Sequence, residues 1–232
     1  MTAGGDYLSG RFARQSNQIA RATLTGGLEA WEKLAAQRNY EPKPVPTDRL
    51  DLFGGKPLQK GGLKLEVAYR DFPRGDVRRP GDARFPNPHN LGWYDLSPAE
   101  ARSFLPADGK QKVSDSVFRK LAITTLKDAV RGQMNGWKEH EMTEGELHSE
   151  KTGQSGTVST YKLTGHAKFA VGDRTYEPAL FGLAKFDSAS GEFTQFQLIA
   201  SGQRTGKGGA NGRETDLGPA PMGVGLQLYG QE

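Results

Sequence analysis

The residues best placed to do chemistry lie in the last third of the chain. Gly202 to Pro221 is a long, polar, glycine-rich stretch carrying Arg204, Lys207, Asn211, Arg213 and Asp216. Successive glycines leave backbone amides open, and cationic side chains beside them make an anion nest. This stretch could therefore hold a small anionic or amphipathic ligand against a sheet. The structural alternative is a crossover loop stitched down by Asn211, Arg213 and Asp216. Gly206-Lys207 does not make a phosphate loop of the Walker kind. Three residues separate Gly202 from Gly206 where four are needed, and Gly208 follows the lysine in place of Ser or Thr.

A second set could ligate a metal. His140, Glu144, Glu146, His148 and Glu150 all have even numbers, so a strand through them would carry them on one face. His140, Glu144, Glu146 and His148 are the candidates. The bland reading is a solvated edge strand whose charges discourage pairing with another edge. No Gly-x-Ser-x-Gly elbow and no His-Glu-x-x-His pair is present, and no carboxylate pair stands out for acid–base work. The chain has no cysteine, which excludes disulfides, thiol nucleophiles and thiolate metal sites. No cofactor is expected.

Several elements must position these residues. Leu63 to Arg70 alternates cleanly, with Leu63, Leu65, Val67 and Tyr69 on one face and Lys64, Glu66 and Arg70 on the other. Asp71 to Tyr94 is read as a proline- and arginine-rich connection. Its prolines and aspartates argue against a nucleic-acid surface, which would interleave bases and aromatics on a regular scaffold. Ser97-Pro98-Ala99-Glu100 has the grammar of a helix start with a capping box. The principal helix is expected from Ser114 to Arg131, with Val117, Phe118, Leu121, Ala122, Thr125, Ala129 and Val130 on its buried face and Gly132 as its stop.

Strands follow: a weak candidate at 141–150, then 157–169, 180–186, 193–201 and 223–229. Leu180 to Phe186 is apolar on both parities and reads as a central strand. The expected fold is α+β: a curved antiparallel β-sheet of about five or six strands packed on one principal α-helix, with a long irregular N-terminal arm. The domain spans 63–232.

Residues 1–62 read as that arm. Gln15 to Gln37 has helical spacing interrupted by Gly26-Gly27, and Glu41 to Pro46 must be extended because each proline restricts its predecessor. Trp31, Leu52 and Phe53 are large apolar groups in a loop-like leader. The bland reading is a poorly ordered leader; exposure of these groups would favour a docking arm, through which the chain meets a protein partner or itself. Net charge is only +4, a mild bias toward anionic partners. No run approaches the ~18 apolar residues of a membrane span. The first residues lack a basic region followed by an apolar one, so no signal peptide is expected.

Arg131-Gly132-Gln133 with Trp137, then Phe193 to Gly202, Asn211-Gly212-Arg213 and Asp216 to Val224 together resemble an uncharacterised family of exported bacterial proteins. The resemblance runs from about 63 to 229. It implies an extracytoplasmic place, periplasmic or secreted, and brings no activity and no catalytic residue. The residues therefore lean away from an enzyme. The first reading is a non-catalytic structural or interaction subunit of a bacterial extracytoplasmic assembly with arm-mediated contacts. The second is a ligand-binding module using the Gly202–Pro221 loop. The third is an enzyme of unrecognised type.

Overall fold

Eight strands form one antiparallel sheet in a computed structural model of the chain, which describes residues 17–37, 60–72, 74, 89–209 and 211–230. The strands are β1 (Leu63–Asp71), β2 (His89–Leu96), β3 (Lys110–Lys112), β4 (Met142–Ser155), β5 (Val158–Val171), β6 (Arg174–Asp187), β7 (Glu192–Thr205) and β8 (Ala220–Leu228). Their order across the sheet is β2-β1-β8-β7-β6-β5-β4-β3. The helices are α1 (Asn17–Ala35), α2 (Pro98–Ala101) and α3 (Asp115–Thr125). The chain divides into two compact units, Met1–Pro57 and Leu58–Glu232, and the sheet belongs to the second.

This corrects the expected fold of five or six strands on one principal helix. Two strands were missed. Most of β2 lies inside the stretch read as a connection, yet it pairs with β1 along its whole length from Leu63↔Leu96 to Arg70↔His89. Its alternation is real but weak, because only Tyr94 and Leu96 are buried while Leu91 and Trp93 on the other parity are exposed. β3 is three exposed residues that pair with the 148–150 segment of β4. The strands that were expected are also longer, with β4 through β7 at 14 residues each.

β6 extends back through Pro178, which cannot donate to a ladder. Its pairing with β5 is interrupted there, between His166↔Ala179 and Phe169↔Tyr176. On the other side Pro178 faces Gly202, where a β-carbon would collide with the Glu177 carbonyl and the Pro178 backbone. A glycine is needed at 202 because the two backbones approach too closely for a side chain.

α3 is shorter than expected. It stops at Thr125 because the returning chain takes its last carbonyls: the Trp137 amide donates to Ile123 O at 2.8 Å and the Trp137 indole Nε1 to Leu126 O at 2.7 Å. A helix continuing to Arg131 would use those carbonyls itself. Val117, Phe118, Leu121, Ala122 and Thr125 are buried as the spacing implied. The expected Ser114 cap makes no side-chain bond to the helix amides, and its hydroxyl instead lies 3.0 Å from that of Ser116.

The core lies on one face of the sheet. Leu65, Val67, Leu163, Phe169, Leu180, Phe196, Leu198 and Val224 form one buried cluster with Phe104, Trp137 and the apolar residues Phe118 and Leu121 of α3. Phe104 meets Phe196 edge-on at 5.4 Å, and Trp137 stacks on Phe169 at 5.0 Å.

In the first unit, α1 runs unbroken through Gly26-Gly27, although each glycine costs ~1 kcal/mol against alanine in a helix. Leu24, Leu28 and Trp31 are exposed by 74%, 59% and 41%.

The Ser97 capping box is present. The Ser97 amide donates to Glu100 Oε2 at 2.8 Å, and the Glu100 amide reaches Ser97 Oγ at 3.4 Å. Lys120 of α3 donates to Glu100 Oε1 at 2.6 Å. The bond from Lys120, then those from Ser97, hold the Glu100 carboxyl down to about 2. A depressed carboxyl contributes stability that is complete above its unfolded value, near ~4.3, and is lost as pH falls toward 2. Glu100→Gln is expected to lower stability at neutral pH by ~1 kcal/mol. It should also flatten the acid side of the stability profile, read by urea denaturation at neutral and acid pH. Equal stability of the two proteins at neutral pH would contradict this.

Candidate functional site

The 206–219 loop between β7 and β8 closes over a buried cluster of ions. Arg213 sits at its centre with a fully buried side chain. It donates to both oxygens of Asp128, from Nε and Nη2, at 2.7 Å each. It donates to both oxygens of Asp71, from Nη1 at 2.9 Å and Nη2 at 2.7 Å. Nη1 also reaches Asp216 Oδ2 at 3.1 Å. One guanidinium fork thus meets three carboxylates, a geometry that lysine's point charge cannot reproduce.

Two more buried arginines complete the cluster. Arg131 lies 3.2 Å from Asp71 Oδ2 and 3.0 Å from Asp216 Oδ2. Arg204 pairs closely with Asp216 through Nη2 and lies 3.9 Å from Asp128 through Nε. The partly exposed Arg74 donates to Asp216 Oδ1 at 2.7 Å, and Asn211 donates to Asp128 Oδ2 at 3.3 Å. Asp71 ends β1, Asp128 and Arg131 follow α3, Arg204 is near the end of β7, and Arg213 and Asp216 are in the loop. The cluster therefore ties four separate parts of the chain to one point.

Opposing influences act on the arginines. Burial disfavours the Arg213 charge, but hydrogen bonds to Asp128 and Asp71 outweigh it, and the group is pushed up. For Arg204 burial dominates, neighbouring Arg213 adds to it, and the group is pushed down against the pull of Asp128, Asp216 and Asp71. Buried among charges, Tyr176 is pushed far up, and its hydroxyl donates to Ala200 O at 3.2 Å. A second contact holds the loop's near side. Arg174 lies 4.0 Å over the Trp137 ring and 3.2 Å from Glu141, and Gly208 packs against its side chain.

Sequence reasoning singled out Arg204, Lys207, Asn211, Arg213 and Asp216. The structure brings four of these together and leaves Lys207 exposed outside them. The donors of Arg204 and Arg213 turn inward to carboxylates rather than outward to an open nest. Asp71, Arg74, Asp128 and Arg131 were not anticipated. Asp128 falls within the helix expected to Arg131 but off its apolar face, and Asp71 at the start of the expected connection. The signal available was an arginine and aspartate excess at element ends, where no turn chemistry required them.

The second set is partly assembled. Glu144, Glu146 and His148 share one face of β4, opposite Lys168, His166 and Thr164 of β5. His148 Nδ1 is 3.9 Å from Glu146 Oε1. His140 lies apart in a single 3-10 turn, Glu139–Glu141. Among the described residues no group of three or more His, Cys, Asp or Glu is placed to hold a metal ion. Of the candidate docking residues, Trp31 is on α1, while Leu52 and Phe53 lie outside the described residues.

One shallow cleft of about 300 Å³ is lined by Lys60, Gly61, Pro98, Arg102, Leu105, Phe186 and Gly191. It is away from the ion cluster. No described helix is long and apolar enough to cross a membrane. No protein-family model, curated protein or solved structure matches this chain.

Removing one partner of a buried ion pair strands the other charge, at ~3–5 kcal/mol. Arg213→Met is expected to cost that much in urea denaturation, and Arg213→Lys to recover only part of it. A loss below ~1 kcal/mol for Arg213→Met would show that the cluster does not hold the loop.

Proposed function

We propose that this protein is a non-catalytic interaction subunit that self-associates, with α1 as a docking element. The observation that supports it most is the α1 stripe. Leu24, Leu28 and Trp31 are spaced four and three residues apart, so they share one helix face, and Leu24 and Leu28 keep more than half their surface in water. Helices with such a face normally bury it against a neighbour. The inward-turned charges of the 206–219 loop fit a scaffold role better than ligand capture, because an anion there would compete with three carboxylates for the same donors. An extracytoplasmic location belongs to the same proposal and rests on the C-terminal resemblance.

The test is contact-specific crosslinking of the purified full chain. A photoreactive Leu28→benzoylphenylalanine variant is expected to give an adduct of two chains, and adding Leu24→Asp is expected to abolish it. Adducts confined to one chain, or none, would overturn arm docking.

A further inference from the structure

The face of the sheet opposite the core is strongly patterned. Of the large exposed apolar residues described in the sheet unit, five fall in two adjacent cross-strand rows: Leu91, Ile199 and Phe181 in one, Trp93 and Leu183 in the next. Scattered exposed apolar residues are normal, but a contiguous patch marks an interaction surface. The strand register defines the rows. The first runs Leu91, Ala68, Gly225, Ile199, Phe181 across β2, β1, β8, β7 and β6. The second runs Trp93, Glu66, Gln227, Gln197, Leu183 on the same strands. One step further, Asp95 stands on β2 beside the buried Lys64 of β1, and Lys185 stands on β6; Asp95 and Lys185 are both exposed.

We propose that this face binds the same face of a second copy, about a two-fold axis running along β8. Such an axis keeps each row at its own height and exchanges its two ends. In the first row Leu91 then meets the partner's Phe181, Ala68 meets the partner's Ile199, and Gly225 meets the partner's Gly225. Ala68 thus lies opposite the larger Ile199, the two large end residues face each other, and no β-carbon stands at the axis. A β-carbon built at Gly225 would find open space within 4 Å in the single chain, so close backbone packing in the monomer is not what requires a glycine there. In the second row Trp93 meets the partner's Leu183, Glu66 meets the partner's Gln197, and Gln227 meets the partner's Gln227, so the amides can bond across the interface, to the Glu66 carboxylate among others. In the third, Asp95 meets the partner's Lys185, so opposite charges face each other twice in the dimer.

The apolar ends of the first two rows and the charged ends of the third thus meet their counterparts under one symmetry operation, as an isologous interface requires. Aligned face-to-face packing of twisted sheets at about −30° is a common arrangement. The occupant is a second copy because the patch is complementary to itself. This inference rests on the self-association reading but not on α1.

The test uses the full chain. Light scattering of the wild type is expected to give twice the 25.2 kDa chain mass. Ile199→Lys, at a site 54% exposed in the single chain, should leave the fold intact by circular dichroism and weaken the dimer roughly thirtyfold or more. Asp95→Lys alone and Lys185→Asp alone should each weaken it roughly tenfold by sedimentation equilibrium, and the double variant should restore it. A monomeric wild type, indifference to Ile199→Lys, or a double variant weaker than both singles would overturn the sheet-face dimer. The Leu24→Asp variant separates the two proposals. Loss of the position-28 adduct with the light-scattering dimer intact supports both. A dimer sensitive to Leu24→Asp and insensitive to Ile199→Lys overturns the sheet face and leaves arm docking standing.

Discussion

Three aspartates cannot share a buried space unless cations are held between them, and Arg213 is the group that does so. Its fork reaches Asp71, Asp128 and Asp216 at once, with Arg131 and Arg204 balancing the remaining charge. Desolvating these ions costs several kcal/mol each, and only complete pairing recovers that cost. The arrangement is therefore all-or-none. With every partner present it fixes where β1 ends, how the chain turns after α3 and where the β7–β8 loop lies. With one partner missing, the rest become a liability. Such a cluster specifies position more than it adds net stability.

That constraint divides the sheet into two surfaces with different roles. The inner face is closed by α3, by the Trp137 segment and by the loop that the ions hold down. The outer face places Phe181 and Ile199 on central strands in contact with water. The apolar rows on the outer face are what the proposed association rests on. The edges differ too. The β3–β4 side has register shifts and charged residues, devices that discourage pairing. The β1–β2 ladder is regular throughout.

The sequence made much of this legible where periodicity was strong. β1 and β5 follow from alternation, and the Ser97–Glu100 box follows from local hydrogen-bond chemistry. β2 was not legible because its buried parity contains Asn90 and Gly92, so alternation is visible over only two residues. α3 was read too long because its apolar spacing continues past Thr125, whereas a tertiary contact from Trp137 ends it. Asn211, Arg213 and Asp216 were legible as residues able to stitch the loop, but their partners Asp71 and Asp128 lie 142 and 85 residues from Arg213, a separation no local pattern reports. The apolar run at 180–186 reads as a central strand, and β6 does lie between β7 and β5, with Phe181 and Leu183 of its outer parity exposed.

Native-state hydrogen exchange of the 206–219 loop tests the central claim most directly. The Gly206 amide donates to Leu217 O at 2.7 Å, and the Asp216 amide to Arg213 O at 3.1 Å, across a loop with little regular structure. If the ion cluster fixes the loop, these amides exchange only with global unfolding, at the slow rate of the β7 and β8 core amides. Exchange at the rate of an open surface loop, while the core amides stay protected, would contradict the account.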